Sequence, residues 1–398
     1  MTAVPVTQAR AIVLGVTADM AFAAGALLAG VRRHDPGMAA DVVIFHDGLS
    51  DGDRAALAVL APGVRFRAFT AADALARLGM AAAPPRLAEA LARFSALHLA
   101  KLELPALLAE YDRVVWLDAD MLVRGPLGAL WDFDCLAWRP LAPGAVQRRA
   151  AVLAACAPRV RDGSVPLLNG GVVGVARGLA DRGLGVADLW AEARFLLEAT
   201  ETQTVDEMAL WLLAARHGLP VRALPLALNH PVTTGGVDRA VILHAIGAQK
   251  FWNATPMLHL YPDWAAHHAE WVAAGGTPWA GPVMLEDQHP AEPAALLKAV
   301  QARAFWMDLY DRLRPDLPAG LHPDLRCDGA EWRLFVAGSG QVLRLIRLPN
   351  ARRIGLVLPT PQARAAVVAA VPEGREGAGG MLTVPLARLP DALRAALG

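Results

Sequence analysis

The chain has 398 residues with 38 basic and 38 acidic side chains, a formal net charge of zero and 55% hydrophobic residues. This balance argues against a nucleic-acid binder, which needs a basic surplus to neutralise phosphate, and against an acidic disordered tail. A single core is not expected to organise so long a chain, because domains stop growing near about 250–300 residues.

Among the basic residues only Lys101, Lys250 and Lys298 are lysines. With the abundant Ala and Gly, this reads as biased codon usage that fills interchangeable surface positions with Arg, so each lysine is worth testing against the motifs. Cys135, Cys156 and Cys327 are odd in number and far apart, which suits neither a disulfide framework nor a zinc site and points to a reducing, cytoplasmic setting.

In chain order, Ala11–Val16 reads as a buried strand, followed by a helix to about Arg33. The same stretch resembles a secretion signal, but Asp19 interrupts it and its β-branched first half gives way to an Ala/Leu-rich second half. Next come a strand at Asp41–Phe45, the polar turn His46-Asp47-Gly48-Leu49-Ser50, a helix from Asp51, and an alternating strand at Val64–Phe69. This order calls for a parallel α/β sheet with right-handed crossovers. A helical region over Arg86–Glu110 leads to the strand Arg113–Leu117. Further strands are expected at Gly171–Ala176 and Ala240–His244, with a helix over Val205–His217. The character changes near 285. We therefore expect a catalytic α/β domain over 1–285 and an α+β annex over 286–398. The annex is expected to hold an amphipathic helix at 291–314, strands at Glu331–Val336, Val342–Leu348 and Ile354–Leu358, and a closing helix near Pro390–Leu397. No stretch approaches the roughly 18–20 apolar residues of a membrane span, which leaves at most peripheral membrane contact.

The sharpest motif is Asp118-Ala119-Asp120, directly after the apolar strand. Two carboxylates one residue apart at a strand's carboxyl end lie where open α/β sheets bind ligands, and they suit Mg²⁺ or Mn²⁺. Asp132-Phe133-Asp134 is a control, because it follows no strand and reads as a solvated turn or helix start. A second motif is His244, Gly247, Lys250 and Trp252 after Ala240–Leu243. A lone His there is usually a core residue, but a Gly and a Lys at three and six residues further on suit a metal ligand, close backbone approach and a phosphate. Asn169-Gly170-Gly171 is either a hydroxyl-binding amide with room beside it or an ordinary turn. Asp206-Glu207 opens a helix, where carboxylates commonly serve the helix dipole.

The ordered set resembles glycosyltransferase family 8: Val16-Thr17-Ala18-Asp19, the turn at 46–50, Lys101 seventeen residues before Asp118, the run 114–131, Leu167–Gly171, Asp206-Glu207 and the 244–252 motif. The resemblance covers about residues 10–255. It implies a GT-A fold, a mixed nucleotide-sugar-binding sheet with flanking helices, and retaining transfer of a hexose. The implied donor is a UDP-sugar, UDP-glucose or UDP-galactose, with Mn²⁺ or Mg²⁺ as cofactor and a glycan, lipid-linked sugar or protein as acceptor. By that resemblance Asp118, Asp120 and His244 hold the metal, and Gly247, Lys250 and Lys101 meet the donor diphosphate. Thr17 and Asp19 meet the nucleotide, although the family's aromatic there is absent. Asn169 contacts sugar or acceptor, and Asp206 or Glu207 supports the cationic transition state. Glu207 replaces the family's Gln, and Phe251 stands where relatives often have Pro. Two other readings of the same residues are a non-catalytic nucleotide-sugar-binding relative and a haloacid-dehalogenase-type phosphatase acting through Asp118 and Asp120.

Overall fold

The computed structural model describes residues 9–141, 145–146, 149–232, 237–247, 250–254, 257–258, 261–281, 309, 322–328, 331–338, 341–347, 353–358, 360–377 and 381–397. Lys298 and all of the expected 291–314 helix except Leu309 lie outside them. The described residues fall into two compact units. The first comprises 1–230, 240–244 and 262–280; the second comprises 231–239, 245–261 and 281–398.

In the first unit β1 (Arg10–Val16), α1 (Ala21–His34), β2 (Asp41–His46), α2 (Asp51–Leu60) and β3 (Arg65–Ala68) form two parallel crossovers. α2 starts where the sequence indicates, with the Ser50 hydroxyl accepting from the backbone N–H of Asp53. β4 (Arg113–Leu117) then lies beside β1 in parallel, so the sheet reads β3-β2-β1-β4 and the order reverses between β1 and β4. Open α/β sheets bind ligands at such a reversal, and both strands end on the same edge. The sheet continues as β7 (Leu168–Ala176), antiparallel to β4, then β6 (Leu136–Pro140) and β8 (Val221–Ala223). It is therefore mixed. β5 (Met121–Val123) leaves it to pair antiparallel with β10 (Ile242–His244), in a small sheet that also holds β9 (His230–Pro231).

The helical region before β4 is not one helix. α3 (Ala71–Leu78) and α4 (Pro85–Phe94) precede Ser95, whose φ of 61° breaks the α geometry, and Ala96–Ala109 continues as 3₁₀ turns. Pro105 inside that run has no N–H for an i→i−4 ladder, which disfavours an unbroken α-helix. These turns, α5 (Val186–Ala199) and α6 (Val205–His217) cover one face of the sheet with Leu99, Leu102, Leu104, Leu189, Met208 and Leu212, all fully buried against Val13, Val114 and Val173. α7 (Pro262–Ala273) packs on α1.

The second unit's described core is an antiparallel sheet of β11 (His322–Asp328), β12 (Glu331–Gly338), β13 (Gln341–Arg347), β14 (Arg353–Val357), β16 (Leu382–Pro385) and β15 (Arg375–Glu376), in that order. Leu343 and Leu345 are buried while Arg344 and Ile346, which alternate with them, are half-buried, the period-two pattern of a one-sided sheet. α8 (Pro361–Ala370) and α9 (Leu389–Leu397) supply Val367 and Leu393 to that core.

One close approach joins core to site. A Cβ on Gly15 would lie 2.4 Å from Cη2 of Trp116, so β1 leaves room for an indole that turns out to support the site. Gly15→Ala should cost about 1–3 kcal/mol through overpacking, read as a lower midpoint in urea unfolding.

Candidate active site

β4 is buried through Val114-Val115-Trp116-Leu117, and the chain turns as it leaves the sheet, with the Asp118 N–H donating to the Gly171 carbonyl at 3.0 Å. The turn places Asp118 and Asp120 just before β5. Since β5 pairs with β10 so that Met121 faces His244, the imidazole arrives beside both carboxylates. His244 Nε2 is 3.2 Å from Asp120 Oδ1 and 3.9 Å from Asp118 Oδ2, and the three candidate ligand atoms all lie within 4.8 Å of one another. Asp132 and Asp134 have side chains 82% and 96% exposed, as expected of the control pair.

The imidazole is oriented from behind. Its Nδ1 is 2.9 Å from Asn229 Oδ1, and the Asn229 amide N–H donates to Asn169 Oδ1 at 2.9 Å. An amide oxygen can only accept, so Nδ1 carries a proton and Nε2 is the ring nitrogen turned toward the carboxylates, the one available to a metal. A Cβ on Gly171 would lie 2.3 Å from His244 Cε1, so glycine is what lets the ring sit there. Asp118 divides its oxygens: Oδ1 accepts from Trp116 Nε1 at 2.7 Å and faces Lys101 Nζ at 3.2 Å, while Oδ2 is on the His244 side. Two carboxylates and one oriented imidazole fit a divalent cation of the Mg²⁺ or Mn²⁺ kind.

Behind this cluster is a buried charge layer. Lys101, only 5% exposed, donates to Asp206 Oδ2 at 3.1 Å and lies 5.4 Å from the Trp116 ring centroid. Burial favours the neutral amine, but Asp118, Asp206 and Glu207 together raise Lys101 above the usual lysine value. Burial also opposes ionisation of Asp206, and Lys101 overcomes it, holding that carboxyl below its ordinary range. Glu207 moves the other way, pushed up by burial and by the Asp206 charge. Its Oε1 accepts from the Gly170 N–H at 2.6 Å and its Oε2 pairs with Arg149. Asp206-Glu207 therefore do more than complement a helix dipole, since both point into the site edge.

Asp118, Asp120, His244, Lys101, Asn169, Asp206 and Glu207, far apart in sequence, are thus gathered into one network. Thr17 and Asp19 stand on the loop after β1, at the same sheet edge; the Thr17 hydroxyl donates to Asp19 at 2.5 Å, and the Ala18 N–H donates to Asp47 at 3.1 Å. Gly247 and Lys250 belong to the second unit. There Gly247 has φ +97°, and Lys250 Nζ donates to the Ala245 carbonyl at 2.7 Å. Sequence reading missed Asn229, Trp116, Arg139, Arg149 and His98. His98 Nδ1 is 2.5 Å from the Ser95 carbonyl and its imidazole is kept neutral by burial. The strained backbone at Ser95 is a signal visible only in three dimensions.

Asn229→Ala should weaken Mn²⁺ binding by roughly 10–100-fold in calorimetric titration, because the imidazole loses its orienting partner. Asp206→Asn should lower stability by about 3 kcal/mol at pH 7, since Lys101 keeps only one direct ion-pair partner, Asp118. Asp206 is depressed, so its contribution is present above the unfolded carboxyl value near 4 and lost as pH falls through the folded one. The gap between wild type and Asp206→Asn in urea melts should therefore narrow below about pH 4.

Several solved structures share likeness with the chain. The bifunctional glycosyltransferase WbbM is 20% identical over 67% of this chain and 50% of its own, with a TM-score of 0.49. The galactosyltransferase LgtC, solved with donor and acceptor sugar analogs, is 19% identical over 70% and 99%, also at 0.49. The glycosyltransferase GlyE of Streptococcus pneumoniae TIGR4 is 16% identical over 68% and 66%, at 0.41. The chain thus spans half the length of WbbM. No curated protein matches it in sequence. Residues 11–138, which hold β1 to β5 except Arg10, Lys101 and the Asp118-Ala119-Asp120 turn, match the sequence model of Glycosyl transferase family 8.

Proposed function

We propose that the chain is a retaining glycosyltransferase that moves a hexose from a UDP-sugar to a hydroxyl acceptor in a manganese-dependent reaction. The observation that supports this reading most is the junction at Asp118, where the Asp118, Asp120 and His244 cluster meets the buried Lys101–Asp206 pair inside the family 8 segment. A divalent ion held by Asp118, Asp120 and His244 would supply Lewis-acid charge to the departing diphosphate.

Lys101 contributes a fixed positive charge to the same place, desolvated and unable to relax away, which is how electrostatic stabilisation of a leaving group gains strength. Gly247 and Lys250 are assigned to the diphosphate by their motif alone. Beside Lys101, Asp206 and Glu207 offer negative charge to an oxocarbenium-like centre. Of the two, Asp206 is the one kept ionised, and Glu207 is held in place by Gly170 and Arg149. Asn169 is braced by Asn229 and presents its amide beside them. The departing diphosphate oxygen is the nearest base for the acceptor proton in a same-face attack.

Among the described residues no helix is long and apolar enough to cross a membrane. The test is release of UDP from UDP-glucose and UDP-galactose with Mn²⁺, with the product's anomeric configuration read by NMR. Asp120→Asn and Lys101→Ala should each reduce turnover by about 10²–10³-fold. Unchanged turnover in Asp120→Asn would remove the site assignment. An inverted product would remove retention, and phosphate release from a simple phosphoester without any nucleotide sugar would favour phosphatase chemistry.

A further inference from the structure

β6 and β7 lose register between Trp138 and Arg139. Trp138 pairs with Val173, but the next residue, Arg139, pairs with Asn169. The irregularity is taken up on β7 by Gly170-Gly171-Val172, and bulges of this kind re-aim side chains beside active sites. It brings Arg139 opposite Asn169, hence to the same sheet face, and within electrostatic reach of Glu207. Arg139 is only 8% exposed. Its Nη1 donates to the adjacent Pro140 carbonyl at 3.2 Å, and its Nε, fully buried, has no acceptor among the described residues.

A second guanidinium repeats the pattern. Arg149 gives Nη2 to Glu207 and to the Thr204 hydroxyl at 3.3 Å, while its buried Nη1 has no acceptor among the described residues. Glu207 accepts from the Gly170 N–H on one oxygen and from Arg149 on the other, and it makes no hydrogen bond to Arg139. The Asn169 oxygen is likewise taken by Asn229 and lies 3.4 Å from the Gly171 N–H. Of the two guanidiniums, one is paired with Glu207 and the other lies only within its electrostatic reach. A buried cation with an unsatisfied Nε and no ion-pair partner in contact destabilises a protein, so a purely structural role for Arg139 leaves that donor and charge unexplained.

We propose that Arg139, with Arg149, recognises a carboxylate on one of the two sugars handled here, either the transferred unit or the acceptor. A carboxylate brings two acceptor oxygens and one negative charge, matching two orphan donors and one unbalanced cation, and its plane suits a guanidinium fork. A phosphate dianion would bring more charge than the site lacks. This inference rests on the glycosyltransferase reading and narrows its substrate to one that includes a sugar acid.

Calorimetry in saturating Mn²⁺ tests it in two arms. The donor arm compares UDP-glucuronate with UDP-glucose; the acceptor arm compares methyl glucuronide with methyl glucoside, each added to the protein with UDP. In one arm the acid should bind about tenfold or more tightly than its neutral partner, as a charge-assisted hydrogen bond provides. Arg139→Gln should bring that ratio near one, and Arg139→Lys, which keeps the charge without the fork, should fall between. The arm that shows the preference identifies which sugar carries the acid. Arg139→Leu should melt no lower than wild type, since it removes an unsatisfied cation.

Equal binding of acid and neutral partner in both arms would overturn the proposal, as would a preference that survives Arg139→Gln. If that variant does not fold, Arg139→Lys carries the same comparison. Failure of UDP to bind with Mn²⁺ would remove the glycosyltransferase reading and this inference together, whereas UDP binding without an acid preference would remove this inference alone.

Discussion

Much of the candidate site depends on a single ammonium group. Lys101 is one of three lysines in the chain, and it sits out of water between Asp118, on the turn after β4, and Asp206, at the start of α6. Without it, a carboxylate at a strand end and another at a helix start would be forced together in a low-dielectric layer where like charges repel strongly. With it, Asp206 is held below its ordinary range, and the strand edge and helix N-terminus are joined through one ammonium. Trp116 completes the arrangement by donating to Asp118 and placing its ring against the ammonium, and Gly15 makes room for that ring. A core packing choice on β1 is thus connected, through two side chains, to the position of a candidate metal ligand.

The parts legible in sequence are those with strong local periodicity or strict chemical spacing. β1, β2, β4 and α6 are continuous apolar or amphipathic runs with clear punctuation, and Asp118-Ala119-Asp120 stands out because a strand precedes it. The 3₁₀ run over Ala96–Ala109 is less legible, because its composition is that of a good helix and only Ser95 and Pro105 disturb it. The short strand β5 is obscured for another reason: three apolar residues after a turn have no period to read, and their pairing with β10 is fixed more than a hundred residues later in the chain.

Candidate site residues divide in the same way. Asp118 and Asp120 stood out through the strand before them, whereas His244 and Asp206-Glu207 gained weight only from the motifs that accompany them. Asn229, Arg139 and Arg149 carry no motif, and they matter only through a register shift and a relay of amides that sequence spacing does not encode. In sequence, Glu207 stands where the resemblance to glycosyltransferase family 8 implies Gln. Its meaning becomes physical once Arg149 and the Gly170 N–H are found on its two oxygens, because a carboxylate so held is a fixed part of the wall.

The division of labour within Asp118 also bears on the order of assembly. One of its oxygens is committed to Trp116 and Lys101, so this residue can offer a cation only the other. Together with one oxygen from Asp120 and one ring nitrogen from His244, the protein would offer a divalent cation three ligand atoms. On the proposed function, the positions left open on such an ion would fall to the donor's diphosphate, so that each would bind more tightly in the presence of the other.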